Sequence, residues 1–281
     1  NVSTLFDRNI EVHDNPKDHF TKKLDRSDAD IIIDEGHLTE VKKSWREKRK
    51  LTTYDIFSNL NYFSEYQNYF VPKNRLGDLC YMNTTSPLLL KFTSNTYAQR
   101  LVNYTGTGSN NLNCNTIIVD VGKNSSVDLT EIFDATNMYF TNVYYIVRKF
   151  ATLNLTRDII GSNGSFVIDS HIIQHPDSVV NLKVFGGRNK YTQQFFDIDS
   201  YKYCTTNVDG RFEQDNDNTN NFYINMNHLD EGGVSNIDVR NVVEDTSFSS
   251  FYGKILISKK SDDVNAEMYN KNLQLSKNAT V

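Results

Sequence analysis

His171 and His175 stand four residues apart in His171-Ile172-Ile173-Gln174-His175, a spacing that on a helix would offer two imidazoles to one metal ion. Ile172 sits where a zincin carries its glutamate, and the flanking Val167, Ile168, Val179 and Val180 favour strand, so surface or turn histidines are expected. Asp215, Asp217 and Thr219 alternate like the opening of a calcium loop. Asn220 replaces the glycine and Met226 the glutamate that such a loop needs, which leaves a solvated turn as the reading. Asp197 and Asp199 alternate on one strand, so both carboxylates leave the same face, in the manner of the acid clusters of polysaccharide-cleaving β-helices. Solvated acids are the plainer account of them.

Phosphate and nucleophile chemistry find less. Gly106-Thr107-Gly108 follows Leu101-Val102 but has neither the third glycine nor a following helix, so the dinucleotide fingerprint fails. No GxxxxGK[ST] and no Gly-x-Ser-x-Gly segment occurs, and none of the three cysteines, Cys80, Cys114 and Cys204, has a histidine beside it. Far apart in sequence and outside any CxxC spacing, they argue against a disulfide framework or a zinc knuckle and fit a reducing compartment. Cys204, between Tyr203 and Thr205, could ligate iron or sulfide as a thiolate, although a lone cysteine in a strand-rich region is more often a small buried hydrophobe.

The 281 residues are enough for a sizeable core, and 30 basic against 35 acidic residues give a net charge of -5, which advertises neither nucleic acid nor an anionic membrane as partner. No apolar run approaches the roughly 20 residues of a membrane span. Asn-x-Ser/Thr triplets such as those at Asn103 and Asn163 arise by chance in a chain this rich in asparagine. The lack of an initiator methionine, and a last segment that stops inside an apparent strand, read as a fragment.

The elements that would carry these side chains divide into two regions. The first thirty residues are polar and read as loosely packed. Residues 37–50, with Leu38, Val41 and Trp45, and a second segment capped by Thr52 or Thr53, with Ile56, Phe57, Leu60, Phe63 and Tyr66, follow helical spacing before Pro72 and Gly77. From Pro87 the chain turns to short runs of Val, Ile, Phe and Tyr between Asn, Asp, Gly and Ser: 88–92, 116–121, 143–147, 152–155, 165–168, 181–185, 193–198, 222–226, 237–243, 251–257 and 272–275. Each run lasts about four to seven residues, and together they suit a sandwich, a barrel or a solenoid. Alternation in 237–239, 251–257 and 273–275 leans toward a strand face lining a solenoid core. Asparagines at the turns suit left-handed corners that stack between coils.

One stretch is more specific. Phe251-Tyr252-Gly253-Lys254-Ile255-Leu256-Ile257, then Ala266, Asn270-Lys271-Asn272-Leu273-Gln274-Leu275-Ser276 and Ala279 resemble the pattern of the SufB/SufD family of the SUF iron-sulfur cluster assembly system. Met268 stands at that pattern's glutamine and Gln274 at its middle leucine. Upstream, Gly186-Gly187-Arg188 and His228 keep the family's order, while the E-G-C and Q-L-H-A segments of SufB are missing, so SufD is the nearer relative.

The resemblance implies a mainly β fold, a right-handed parallel β-helix (β-solenoid) core over 87–281, with a small helical region in 1–86. It implies a non-enzymatic, cytoplasmic scaffold subunit that works with a SufB-like subunit and a SufC-like ATPase, without nucleic acid or membrane. The iron-sulfur cluster would be assembled transiently at the interface of the complex. The family's Cys-x-His-Gly segment and its SufC-binding helices would follow Val281, so no catalytic, cofactor-binding or metal residue is assigned. The rival is a β-solenoid or β-sandwich module of a phage tail fibre or adhesin. A polysaccharide-cleaving enzyme on a β-helix is a weaker third reading, for want of an acid-base constellation.

Overall fold

A computed structural model describes residues 29–41, 51–55, 64–69, 75–84, 87–106, 112–161 and 163–281. Strands dominate: β1 (Ile31–Asp34), β2 (His37–Val41), β3 (Leu51–Asp55), β4 (Leu88–Phe92), β5 (Tyr97–Gly106), β6 (Leu112–Val121), β7 (Ser126–Ala135), β8 (Met138–Val147) and β9 (Thr152–Ile159). They continue as β10 (Ser165–Gln174), β11 (Val179–Gly186), β12 (Tyr191–Ser200), β13 (Thr205–Gln214), β14 (Thr219–His228), β15 (Val234–Val243), β16 (Phe248–Ile257) and β17 (Asn265–Gln274). Before β4 stand helix α1 (Arg75–Asn83), a 3-10 turn at Gln67–Tyr69 and, just before that turn, helical residues 64–66, which place Tyr66 in helix as expected.

From β4 onward the chain alternates between two parallel sheets, even-numbered strands in one and odd-numbered strands in the other. The result is the expected β-solenoid, of about six turns. Ser126 lies beside Thr152, then Val179, Thr205, Val234 and Asn265, each one coil further on. No single coil could bury its apolar side chains alone, and stacking supplies the missing cover. Inward positions such as Leu153 and Leu155, Val180, Leu182 and Val184, Phe196 and Ile198, and Phe222, Ile224 and Met226 join one continuous core.

The corners explain the composition. Where the chain passes from the even to the odd sheet, a residue with positive φ recurs in each coil: Asn95, Asn124, Phe150, Asp177, Tyr203, Gly232 and Asp263. The left-handed region suits Asn, Asp and Gly, and Asn124 Nδ2 also donates to Asn95 Oδ1 across coils at 3.2 Å. At the opposite corner Gly187 has φ 123, and a Cβ there would lie 2.3 Å from the Glu213 carbonyl, so the Gly186-Gly187 pair is required for close coil approach.

Three expectations need correction. Strands 5 to 8 and 12 to 17 each run ten residues, longer than the short apolar runs that mark them, because polar outward residues continue the ladder. His37–Val41 is a strand, paired antiparallel with β1 through Glu35 and Gly36, whose φ values of 49 and 85 make a tight hairpin. Thr52 and Thr53 cap no helix and lie in β3, which pairs antiparallel with β4. The first region therefore adds strands to both sheets, and Ile31 and Ile33 enter the main core. The rest of the first expected helix, Ile56 to Phe63 of the second, Pro72, Thr107 and Gly108 lie outside the described residues.

Candidate functional site

Parallel stacking turns sequence positions far apart into rows on the outside of the even sheet. In one row Tyr144, His171, Asp197, Asn225 and Lys254 are neighbours, and in the next stand Ile146, Ile173, Asp199, Asn227 and Leu256. His171 Nε2 lies 3.4 Å from Asp169 Oδ1 and its Nδ1 lies 3.8 Å from Asp197 Oδ2, while its ring stacks on Tyr144 at 5.0 Å. Asn227 Nδ2 donates to Asp197 Oδ1 at 3.0 Å and to Asp199 Oδ1 at 2.9 Å. The fold thus brings Asp197, Asp199 and His171 into one cluster, with an amide holding both carboxylates.

The other histidine of the pair goes elsewhere. His175 follows β10 and lines a corner cavity of about 510 Å3 with Asp120, Lys91, Lys123, Arg148 and Lys149. Burial, and then the nearby Arg148 charge, push its imidazole below its ordinary value. Arg148 forks onto Asp120 through two contacts of 2.9 Å, and Tyr66 donates to the same carboxylate. Asp215 accepts from Asn218 Nδ2 at 2.9 Å in the turn before β14, the hydrogen bond of an ordinary turn. Among the described residues, no three His, Cys, Asp or Glu side chains gather as a metal ion would need.

Cys204 is fully buried in a corner, its sulfur 3.1 Å from the His175 carbonyl and 3.6 Å from Ser178 Oγ. This is the packed-hydrophobe reading. Cys80 and Cys114, remote in sequence, are brought into one cluster: α1 lays Cys80 over β6, where its thiol donates to the Asn115 carbonyl at 3.1 Å and Cys114 packs alongside. Asn103 is buried in β5, so its triplet accepts no glycan in the folded chain.

Two arrangements escaped sequence reasoning. Inside the coil, Arg157 reaches Glu131 at 2.9 Å with both side chains at 0% exposure. Tyr145 donates to Glu131 Oε1 at 2.6 Å, and Arg157 also donates to Ser170 Oγ at 2.9 Å. Burial opposes the Arg157 charge, but Tyr145 and Glu131 outweigh it and hold the guanidinium above its ordinary value. On the outside of the odd sheet an amide ladder runs from Asn236 to Asn207, Asn181, Asn154 and finally Asp128, at 3.1, 2.8, 2.7 and 2.6 Å. The Asn154 amide is the chief reason that the Asp128 carboxyl lies below its usual range. The signal for both was register: one residue of the same type at the third strand position of successive coils, and charged residues at inward positions.

The segment that carried the family resemblance forms the last coil, β16 and β17. Tyr252, Leu256, Ile257, Tyr269, Leu273 and Leu275 are exposed there, each 43% or more. Inward-facing Phe251, Ile255 and Met268 are only partly covered. β17 pairs with β15 and β16 with β14, and on the far side of β16 Thr280 donates to the Ser247 carbonyl and accepts from the Ser249 amide, each at 2.9 Å. The exposed apolar side chains of these two strands offer contact area for a partner.

A family model described as SUF system FeS cluster assembly, SufBD core domain, matches residues 104–281. No curated protein matches the chain. Among the described residues no helix is long and apolar enough to cross a membrane.

Proposed function

Because the chain belongs to the SufBD core family of the SUF iron-sulfur cluster assembly system, we propose that it is a SufD-like scaffold subunit of the assembly complex. It acts in the cytoplasm without catalysing a reaction itself, beside a SufB-like subunit and a SufC-like ATPase, and the cluster is cargo built at their interface. The observation that carries this reading is the family match over residues 104–281, on a two-sheet parallel solenoid whose outer face at Tyr252 and Leu256 is apolar and exposed. Coils stacked in fixed register hold such an outer face rigid, which suits it to carry a sister subunit.

Support for SufD over SufB comes from the missing E-G-C and Q-L-H-A segments. Support for a scaffold over an enzyme comes from the clusters already described: the Asp197, Asp199 and His171 side chains are tied to one another and to Asn227 and Tyr144. Nothing favours the tail-fibre or adhesin reading. The test is co-expression of the full-length gene with SufB-like and SufC-like proteins. Co-purification, and loss of cluster assembly on deletion, are expected; an unbound protein whose deletion leaves cluster assembly intact would count against the proposal.

A further inference from the structure

Of the three cysteines, the fold places two in one small apolar cluster outside the even sheet. α1 packs across β6, β8 and β10. Its Cys80 is 1% exposed and groups with Phe140 and Val167, and Cys114 of β6, partly exposed, packs against the same group. The Cys80 sulfur lies 3.1 Å from the carbonyl of Asn115 and 3.5 Å from that of Phe140, residues next to Cys114 along β6 and across on β8. Cys80 is therefore enclosed, and Cys114 is the more exposed of the two cysteines.

We propose that Cys80 and Cys114 are a reversible dithiol-disulfide pair, oxidised by exchange with a low-molecular-weight disulfide, that staples α1 to the outside of the solenoid. The first step is attack by the Cys114 thiolate on one sulfur of the reagent, which breaks the reagent's S–S bond and releases one thiolate. Cys80 then gives up its proton and attacks the Cys114 sulfur, expelling the second reagent thiol. Two protein thiols are oxidised and one small disulfide is reduced to two thiols. Exchange needs an accessible thiolate and a resolving thiol beside it. Geometry supplies both, because Cys114 is only partly buried and packs against the cluster that holds Cys80; interaction between the two thiols, with burial opposing at Cys114, lowers Cys114 and raises Cys80. Cys204, enclosed by backbone carbonyls in its corner, is a built-in control.

The proposal stands apart from the assembly role and is tested on the folded full chain with oxidised glutathione as the probe. After native incubation, remaining thiols are alkylated and the protein is mapped by mass spectrometry without reduction. The expected product is a peptide pair linked through Cys80 and Cys114, reversed by excess reduced glutathione, with Cys204 alkylated only after denaturation. Cys80→Ser should trap glutathione on Cys114, and Cys114→Ser should leave Cys80 unmodified, both checked for native circular dichroism. Wild-type protein that keeps glutathione on Cys114 without the link, or that reacts at neither cysteine until unfolded, would overturn the proposal, and it needs no variant to be read.

Discussion

Arg157 and Glu131 meet 2.9 Å apart inside the solenoid, one coil from each other, with neither side chain exposed. A buried pair of this kind stabilises little relative to a well-packed apolar pair, yet leaves a stranded charge if one partner goes. Arg157→Met alone should cost about 3–5 kcal/mol, whereas Arg157→Met with Glu131→Leu should recover most of that loss. Urea midpoints compare the two, and equal losses in single and double variants would refute this account of the pair.

Phe150 and Tyr203 occupy the left-handed corner position with φ values of 59 and 55, where other coils use Asn, Asp or Gly. The left-handed conformation costs an ordinary side chain about 1–2 kcal/mol. The Lys149 ammonium, 4.7 Å from the Phe150 ring, returns only part of this, about 0.5–1 kcal/mol for an exposed contact. Phe150→Asn and Tyr203→Asn should each stabilise the chain by about 0.5–1 kcal/mol. A fall in thermal midpoint for both would contradict the corner argument.

His228 is buried, with Nε2 2.9 Å from Ser235 Oγ, and burial lowers its imidazole below the ordinary 6.5. Below that value the unfolded chain takes up a proton that the folded chain resists, so stability is full above 6.5 and declines as pH falls through the folded value. His175 titrates in the same sense. Denaturation at pH 7.5 and pH 5.5 should show the loss, and His228→Gln should reduce its slope without abolishing it. An unchanged slope would remove His228 from the account.

The asparagine ladder makes a separate case, because Asn207 both donates to Asn181 and accepts from Asn236. Asn207→Ala should cost about 1 kcal/mol for each bond lost, and Asn236→Ala, at the ladder's outer rung, about half as much in all. Equal effects at both positions, measured by chemical denaturation, would show that the rungs do not act in series.

The sequence made the strands of this fold readable wherever inward positions are apolar, as at Phe222, Ile224 and Met226. β5, β7 and β13 stayed hidden for a physical reason. Their inward rows include Arg100, Glu131 and Gly210, which break the alternation that marks a half-buried strand. β2 was read as helix because its partner β1 is short and the turn between them uses Glu35 in place of Asn or Asp. The last coil was legible as a pattern, and the Asp197, Asp199 and His171 cluster only in part, since the two acids share a strand while His171 comes from the preceding coil. Cys80 and Cys114 could not be paired from sequence, because a helix laid across a sheet has no periodic signature.

The central claim is that this solenoid is a holding surface in iron-sulfur cluster assembly. Its most direct test is affinity co-purification of the full-length protein with SufB-like and SufC-like proteins, comparing wild type with a Tyr252→Glu and Leu256→Glu double variant. A stable complex with wild type, and at least a tenfold loss of recovery for a variant that keeps its β circular dichroism, is expected for an apolar coil whose burial is charged out. Equal recovery of both, or recovery of neither, would contradict it.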